Sequence, residues 1–416
     1  MVVPLATLQQ QTQVLPSRSG GLDTLDGLDK LVVDHIVTER DLLGLESEWR
    51  ALEPRMSQVP FVSFDWLIPW WQHLRTRKMF VGDELSVLTF RSRSGELLGV
   101  APLMITHRPS VGPLRFRQLQ FFGADPNITE VRGMAVALEH SNLVYATLLD
   151  HLRKLPGRVN TVSLMGLPYG NARLDERIST MFAAHVWGSD TVNPVVVLKP
   201  TWEAFKSSLS RNMKESLRKC YNAPKRDGLS FDFNVVTRAA DVNAALAAFF
   251  ELHRARSEMP DAVYHRNYFA SGQAQRFISE VCARYAQRGA LRIFQIKHDD
   301  AVIATRIGFV VGDSLYLYYS GYDPAYQQYS VMTTVVAESI QYAIAQGFRT
   351  VNLSTGRDVS KTRWSSVEMT FRSVEFAPRS RMGIVKHRTY RAINKYIGHG
   401  SHGNWLARLL SRGAGW

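Results

Sequence analysis

The chain has 416 residues, of which 45% are apolar, 11% are aromatic and 21% are charged. This composition is ordinary for a globular protein with a full hydrophobic core, and it excludes disorder of the whole chain. The length predicts two domains, or one large domain with extensions.

Lysine and arginine outnumber aspartate and glutamate by 50 to 37, and much of the excess lies near the C-terminus. No acidic residue follows Glu375, whereas eight lysine and arginine residues do. Such a segment attracts nucleic acid, anionic lipid or phosphate-rich substrates, or it promotes solubility, and composition does not choose among these.

Two cysteines are too few for a disulfide framework or a zinc cage. The sequence shows neither a secretory leader nor an apolar run long enough to span a membrane. We therefore expect a cytoplasmic protein without a metal site. Apolar side chains among the basic residues of the C-terminal tail permit peripheral attachment to the inner face of an anionic membrane.

The sequence of the first half of the chain predicts a mixed α/β domain. Residues 1–30 are polar and aperiodic, which predicts a flexible segment. Apolar periodicity and turn residues then predict a series of elements. These are two helices near 43–52 and 64–74, strands over 85–90, 97–105, 114–121 and 130–136, a helix over 141–155, a strand over 158–165, a helical segment over 172–182 and a strand over 194–198.

The second half predicts a similar order of elements. Helices are expected from Thr201 to about residue 221, after Asp241 and over 268–285. Three strands over 291–296, 302–311 and 314–320 are followed by a helix over 330–346 and a strand over 348–353. The repeated order predicts two similar domains, 31–195 and 196–376, followed by a basic tail over 377–416.

The segment from Tyr318 to Tyr326 connects the third of these strands to the helix over 330–346. With this order of strands, loop and helix, the chain resembles the GNAT acyltransferases, and more closely the CelD-like group associated with cellulose and exopolysaccharide synthesis. That group is similar to the Fem-type peptidoglycan aminoacyltransferases, which carry two GNAT domains in tandem. The features that carry the resemblance are the Trp49 helix, Phe61-Val62-Ser63 before Trp66, the strand Gly99 to Leu103, the helix Arg211 to Arg218, the loop Gly321 to Tyr326 and the segment Gly347 to Asn352.

The resemblance implies an α/β fold of two tandem GNAT-like domains, with the acyl donor held by the second domain and the first, degenerate domain on the substrate side. It implies an N- or O-acetyltransferase that uses acyl-coenzyme A as co-substrate, with no permanently bound cofactor, in polysaccharide biosynthesis. The acceptor is then a sugar, a nucleotide-sugar or a lipid-linked compound. Two alternatives stay open: a Fem-type transferase that takes its donor from charged tRNA, and a non-enzymatic docking module of a polysaccharide-secretion system.

In the GNAT fold two neighbouring strands diverge around the pantetheine arm, and the N-terminus of the next helix faces the pyrophosphate. The resemblance therefore assigns coenzyme A binding to the loop and first turn of the predicted helix. These residues are Tyr329, Ser330, Val331, Met332, Thr333 and Thr334. Relatives place glycine in this loop where the present chain has Val331-Met332, and Ser330 alone is also explained as a helix N-cap.

Acyl transfer needs a base for the acceptor and a proton for the leaving thiolate. Asp323 is the candidate base, although Gly-Tyr-Asp-Pro is also good turn chemistry. Tyr319 and Tyr322 are candidate proton donors, and strand alternation puts Tyr319 on the face opposite Tyr318. Lys361 matches a position where relatives carry a lysine beside the active cleft, whereas Asn352 replaces an acid that is common there.

Arg211, Lys214 and Arg218 lie on one face of a predicted helix, where they either grip the phosphates of an acceptor or form a solvated face. Phe122 to Asp125 resembles the family's substrate-side loop, or is an ordinary turn, and Asp125 is its candidate substrate-binding residue. His253 and His265 are interpreted as a helix-face residue and a surface loop residue rather than as ligands. Motifs of nucleotide-binding, serine-hydrolase and zinc-protease sites are absent from the sequence.

Overall fold

The structure, a computed structural model, describes residues 30–377 except 58, 79–80, 109–115, 156–158, 183 and 260–264, together with 384–385 and 388. The predicted flexible segment 1–30 and the basic tail 377–416 therefore lie almost entirely outside the described residues. Among the helices that are described, none combines the length and the apolar character of a transmembrane span.

The chain divides into two compact units. The N-terminal unit contains Phe61–Thr191 with residues 30–57 and 370–377, and the C-terminal unit contains Val192–Met369 with residues 59–60. The divisions thus fall after Thr191 and Met369, whereas the sequence places domain boundaries after residues 195 and 376.

The first half of the chain contains ten strands and five α-helices among the described residues. The strands are β1 (Val32–Ile36), β2 (Arg77–Lys78), β3 (Val81–Leu85), β4 (Val87–Arg91), β5 (Leu97–Ala101), β6 (Leu103–Arg108), β7 (Phe116–Phe121), β8 (Ala135–Val136), β9 (Thr161–Pro168) and β10 (His185–Trp187). The helices are α1 (Glu39–Gly44), α2 (Glu46–Leu52), α3 (Phe64–His73), α4 (Ser141–Arg153) and α5 (Ala172–Met181), with short 3-10 helices at Glu53–Arg55, Pro60–Val62 and Leu138–His140.

The second half continues with longer strands and helices. The strands are β11 (Thr191–Val197), β12 (Asp232–Val236), β13 (Leu291–His298), β14 (Ala301–Val311), β15 (Ser314–Tyr322), β16 (Thr350–Asn352) and β17 (Glu368–Phe376). The helices are α6 (Trp202–Ser208), α7 (Arg211–Arg226), α8 (Val242–Ser257), α9 (Gly272–Gln287), α10 (Val331–Ala345) and α11 (Val359–Thr362), with 3-10 helices at Ala239–Asp241 and Pro324–Tyr329.

The N-terminal unit contains two sheets. One has the strand order β1-β4-β5-β8, and the strands of the other run in the order β17-β9-β7-β6-β3-β2. In the second sheet β7 and β9 are parallel, and their pairing joins Gln118–Gln120 to Thr161–Ser163. The other neighbours in that sheet are antiparallel.

Beyond this short parallel ladder, the unit's own chain occupies the space beside β9. A Cβ atom added at Gly166 of β9 would lie 1.8 Å from the carbonyl oxygen of Arg132, so the loop after β7 passes directly over the strand. The same loop is anchored by Phe122, whose ring stacks on Trp71 with centroids 4.8 Å apart. The loop after β7 therefore fills the space beside β9 that follows the parallel ladder.

In the C-terminal unit the strand order is β12-β13-β14-β15-β16-β11. All neighbours are antiparallel except β15 and β16, which are parallel and joined through α10. Helices α7 and α10 bury their apolar faces against one side of this sheet, in a core that includes Leu315 and Leu317. Helices α8 and α9 lie on the other side, where Tyr285 contacts Phe309. The predicted mixed α/β fold is confirmed.

A β-bulge interrupts the pairing of β14 with β15. Arg306 lies opposite Ser320 while Gly308 lies opposite Leu317, so β15 carries one residue more than β14 over this stretch. A bulge of this kind rotates the following side chains relative to the regular alternation. The faces of β15 therefore cannot be assigned by counting residues in twos beyond Leu317.

Helix α8 approaches β15 so closely that only glycine fits at one position. A Cβ atom added at Gly321 would lie 2.4 Å from the backbone nitrogen of His253 and 2.6 Å from the carbonyl carbon of Leu252. Because both are backbone atoms, no side-chain rotation relieves the contact. Gly321 thus sets the distance between α8 and the outer end of β15.

We expect Gly321→Ala to destabilise the protein by about 2 kcal/mol or more, because the added methyl group forces α8 away from the sheet. Gly272→Ala is the matched control, since a Cβ atom there meets only the end of the Arg276 side chain at 3.5 Å. Urea denaturation of both variants measures the difference. If the two variants had equal free energies of unfolding, α8 would move away from the sheet without loss of stability, and the prediction would be wrong.

Candidate active site

The site begins where β15 and β16 part. Their parallel pairing joins Ser314–Tyr316 to Thr350–Asn352, and β15 runs on to Tyr322. After Asn352 the chain stays with β11 instead, since the backbone N–H of Leu353 donates to Pro194 O at 2.9 Å. The predicted divergence of the two strands is present, and it leaves the outer part of β15 without a ladder to β16.

Arg306 of β14 spans the start of this divergence. Its side chain is buried, and Nη2 donates to Leu317 O at 3.3 Å and to Leu353 O at 3.4 Å. The two carbonyl groups belong to the two parting segments, so one guanidinium holds both at a fixed separation. A charged donor to a carbonyl oxygen is among the stronger hydrogen bonds in proteins.

Asn352 fixes the turn that carries the chain away from β15. Its Oδ1 accepts hydrogen bonds from Ser354 N at 2.9 Å and from Asn193 Nδ2 at 3.3 Å. Ser354 has φ 73°, a left-handed conformation that is uncommon outside glycine. The buried Asn352 amide therefore has a structural role in the divergence, which the sequence did not reveal.

The N-terminus of α10 has an unusual backbone at the position of the missing loop glycine. Ser330 takes φ 53° and ψ 40°, the left-handed region that glycine adopts most easily, and its side chain makes no capping hydrogen bond. The N–H of Thr333 donates to Ser330 O at 2.8 Å. Ser330 is therefore the N-cap residue of α10, as its sequence position suggests, but its hydroxyl does not cap the helix.

Arg363 provides a cation at this helix N-terminus. Its Nη2 donates to the Thr333 hydroxyl at 2.7 Å. Burial lowers the pKa of Arg363, while the neighbouring Cys220 and Asp358 act in the opposite direction. Guanidinium groups stay protonated in proteins, so the first turn of α10 carries a partly desolvated positive charge. No motif in the sequence points to Arg363.

The other residues predicted to bind coenzyme A have different surroundings. Tyr329 and Val331 belong to the hydrophobic core, Met332 packs against that core, and Thr334 is buried. Of the six residues assigned to the cofactor, Ser330 is the exposed one, and Thr333, which is buried like Thr334, is joined to the Arg363 guanidinium.

The predicted catalytic residues lie at the outer end of β15. Asp323 Oδ1 accepts from Ala325 N at 2.9 Å and so caps the 3-10 helix Pro324–Tyr329, which is the turn role. The Tyr319 ring contacts those of His253 and Phe269, with centroids 5.6 and 5.4 Å away. Tyr318 also contacts Phe269, which packs on Phe249 and His253 of α8, so both tyrosines lie on the α8 side of the sheet. The predicted alternation is wrong here because of the bulge.

A polar cluster that the sequence did not predict surrounds the same strand end. Arg256 of α8 donates from Nη1 to Ser320 Oγ at 3.1 Å, and its Nη2 lies 2.7 Å from His265 Nε2. Its guanidinium carbon is 5.6 Å from the centroid of the Tyr322 ring. The hydroxyl of Tyr322 donates to Met259 Sδ at 3.3 Å. We call Arg256, His265, Ser320 and Tyr322 the Arg256 cluster.

His253 holds the neighbouring part of β15 in place. It is buried, and its Nδ1 donates to Ser320 O at 2.9 Å. Burial lowers the pKa of His253, so the imidazole is held in its neutral form. The interpretation of His253 as a helix-face residue is therefore incomplete, because the side chain joins α8 to the sheet.

Lys361 of α11 lies next to Asp358, with Nζ 3.3 Å from Oδ2, and it also donates to Thr355 O. Burial alone would raise the pKa of Asp358, but the Ser360 hydrogen bond and the Lys361 ammonium outweigh it, and the pKa is lowered. Asp358 in turn acts on the pKa of Arg256. The loop that contains Lys361 is therefore close to the Arg256 cluster.

The predicted substrate residues are not part of this arrangement. Arg211, Lys214 and Arg218 lie on the exposed face of α7, where Lys214 donates to Ser207 O and Arg218 pairs with Glu215. No contact within the described part of the chain joins them to the Arg256 cluster. Their role in acceptor binding stays a prediction.

Asp125 belongs to the N-terminal unit, where its buried carboxylate organises a loop. Oδ2 accepts from Trp70 Nε1 at 2.8 Å, and Oδ1 accepts from Thr129 N at 2.9 Å. Burial raises the pKa of Asp125, against the opposing charge of Arg132. These contacts give the carboxylate a structural role between α3 and the loop after β7.

His265 titrates in an unusual environment. Burial lowers its pKa to about 4, and the charge of Arg256 acts in the same direction. His253 and Lys361 also lower this pKa, whereas Asp358 opposes them. Since a guanidinium only donates hydrogen bonds, His265 Nε2 accepts from Arg256 and the ring proton lies on Nδ1.

We expect the free energy of unfolding to fall as the pH drops from 6.5 to about 4, because the unfolded chain protonates His265 in this window while the folded protein keeps it neutral. The contribution of neutral His265 to the free energy of unfolding is complete above the pKa of the unfolded chain and is lost as the pH falls toward the pKa of the folded protein. Urea denaturation at several pH values should give a smaller slope for His265→Gln than for the natural protein. Identical slopes would contradict the neutral His265.

Comparisons with known proteins agree with this geometry. Residues 208–362, within the C-terminal unit, match the family model described as an acetyltransferase (GNAT) domain. A search of curated proteins found no match.

Three solved structures resemble the chain at low sequence identity. FemX is 9% identical with a TM-score of 0.56, and the alignment covers 87% of this chain and 99% of FemX. A tandem GNAT protein from the clavulanic acid biosynthesis pathway is 11% identical with a TM-score of 0.43, covering 84% and 99%. L-PGS from Bacillus licheniformis is 10% identical with a TM-score of 0.45, covering 84% and 96%.

At this identity the match to FemX establishes a shared fold. The family model adds the enzyme class, because it matches the segment that contains the diverging strands and α10. Residues 208–362 thus match a GNAT acetyltransferase domain, which assigns acyl transfer to this part of the chain.

Proposed function

We propose that the C-terminal unit binds an acyl-coenzyme A beside the outer part of β15 and transfers its acyl group to an acceptor in polysaccharide biosynthesis. The observation that supports the proposal is the early end of the β15–β16 ladder after Tyr316. A strand edge that leaves its neighbour offers backbone groups to an extended ligand, as in β-strand addition. The amide groups of a pantetheine arm suit such an edge.

The N-terminus of α10 suits the pyrophosphate of the same donor. A helix of 15 residues carries a partial positive charge at its N-terminus. Arg363 adds a full positive charge beside Thr333. We infer that Arg363 compensates for the absent loop glycine, since a long cationic side chain reaches a phosphate without close approach of the backbone.

The predicted catalytic residues have consistent proposed roles. The acceptor nucleophile forms a bond to the thioester carbonyl carbon and gives its proton to a base, and the carbon–sulfur bond then breaks. Asp323, at the end of β15, is the proposed base, and Tyr322 or Tyr319 returns a proton to the thiolate. Lys361 is proposed to stabilise developing negative charge, because its ammonium lies in the loop after β16.

The N-terminal unit is proposed to serve the substrate side. Its parallel pair β7–β9 repeats the arrangement of β15–β16, but the loop that contains Arg132 occupies the space beside Gly166. A donor site of the same design is therefore closed in this unit. The proposed acceptors are sugars, nucleotide-sugars or lipid-linked compounds, as in the CelD-like group.

A second candidate donor is charged tRNA, as the resemblance to Fem-type transferases implies. The observation that favours it is the exposed basic face of α7, which carries Arg211, Lys214 and Arg218. Phosphate contacts by such residues give binding that weakens steeply with salt. Isothermal titration with acetyl-coenzyme A and with charged tRNA separates the two donors. Saturable binding of tRNA without acetyl-coenzyme A binding would favour the second.

We expect Arg363→Gln to weaken acetyl-coenzyme A binding about tenfold or more, because a charged hydrogen-bond donor to the pyrophosphate is lost. Arg349→Gln is the matched control, since Arg349 is exposed and pairs with Asp313 at 3.5 Å. Isothermal titration of both variants at one salt concentration measures the effect. Equal affinities would place the pyrophosphate elsewhere.

A further inference from the structure

Arg256 lies at the place where an acceptor must meet the acyl group. It belongs to the last turn of α8, and its side chain reaches the end of β15 that lies beyond the β16 pairing. Ser320, which accepts from Nη1, and Tyr322, whose ring lies under the guanidinium, are both on this outer part of the strand. Arg256 is therefore on the α8 side of the proposed thioester position.

The protein partners of this guanidinium are all neutral. Ser320 contributes a hydroxyl and Tyr322 an aromatic ring. His265 accepts from Nη2 through Nε2 and so is the neutral imidazole. None of these groups balances the positive charge of Arg256.

No carboxylate among the described residues contacts Arg256 either, although Asp358 raises its pKa from a longer distance. Within the described residues no carboxylate forms an ion pair with Arg256, and Asp358 is paired with Lys361 at 3.3 Å. By contrast, Arg254 in the same last turn of α8 pairs with Glu258 at 2.7 Å. A partly buried cation without a counter-ion in contact is costly, which favours an anion from outside the chain as its partner.

Hydrogen-bonding capacity also remains on Arg256. A guanidinium has five N–H donors, and the described contacts use one on Nη1 and one on Nη2. Nε is buried and has no hydrogen-bond partner among the described residues. The planar fork therefore presents donors in the arrangement that carboxylates and phosphates accept.

We propose that Arg256 is the subsite for an anionic group of the acceptor, either a carboxylate or a phosphate. This inference rests on the proposed function, because it names the acceptor class of the same active site. A carboxylate points to a sugar acid or an amino acid as acceptor, and a phosphate points to a sugar phosphate or a nucleotide-sugar. His265 and Ser320 act as positioning residues that hold the guanidinium beside β15.

Nuclear magnetic resonance of the full chain with ¹⁵N-labelled histidine tests the subsite. The His265 ring nitrogens report on Arg256 directly, because Nε2 accepts from its Nη2. Sodium acetate and inorganic phosphate are titrated separately at constant ionic strength near pH 7. We expect one of them to shift the His265 resonances saturably, and the anion that does so identifies the acceptor group. Absence of saturation with both anions would overturn the proposal.

Two variants and a control make the assignment specific. Arg256→Gln should weaken the saturating response about tenfold or more, while Arg254→Gln should leave it unchanged. Arg256→Lys keeps the positive charge but lacks the planar guanidinium, so it should give an intermediate response. This variant still tests the subsite if Arg256→Gln does not fold. If Arg256→Gln and Arg256→Lys both respond to the anion as the natural protein does, the proposed subsite is wrong.

Acetyl-coenzyme A binding on the same samples separates this inference from the proposed function. If acetyl-coenzyme A binds and neither anion perturbs His265, the subsite is wrong and the donor site stands. If an anion perturbs His265 and acetyl-coenzyme A does not bind, the anion site stands and the proposed donor fails. We expect both to bind, with acetyl-coenzyme A affinity within about twofold in Arg256→Gln, since Arg256 faces the acceptor side.

Discussion

The parting of β15 from β16 is the constraint on which the site depends. A parallel ladder that continued past Tyr316 would satisfy the edge of β15 and leave no room for a ligand. The chain instead stays with β11 after Asn352, whose amide fixes the following turn, and Arg306 spans the two departing carbonyl groups. The gap is thus built from buried polar groups, which are costly to rearrange, rather than from a flexible loop.

The polar groups at the outer part of β15 are positioned by the packing of α8 on this strand. Gly321 lets the backbone of α8 approach within contact distance, and His253 ties that helix to Ser320 O. The bulge opposite Arg306 turns Tyr319 to the same side as Tyr318. These three local features bring Arg256 to the strand end, so a polar cluster forms on a face of the sheet that is otherwise aromatic.

Strands β13 to β15 and helix α10 were predictable because their signals are local: alternating apolar residues, tight turns and an apolar stripe that ends at Gly347. The divergence of the strands followed from the resemblance. The cations of the site were not predictable, because their partners are distant in sequence: Arg256 and Ser320 are 64 residues apart, and Arg363 and Thr333 are 30 apart. The face of Tyr319 was predicted wrongly because a bulge leaves no mark in residue spacing.

The two units show that a shared design does not by itself make a donor site. Each has a three-residue parallel ladder, and in each an α-helix lies between the two strands along the chain. In the N-terminal unit the glycine at position 166 admits a backbone segment into the space, and the carboxylate of Asp125 fixes that segment through Trp70 and Thr129. In the C-terminal unit the Arg306 side chain spans the start of the gap. What fills the space after the ladder, rather than the order of strands, therefore distinguishes the unit that holds the proposed donor site from the other.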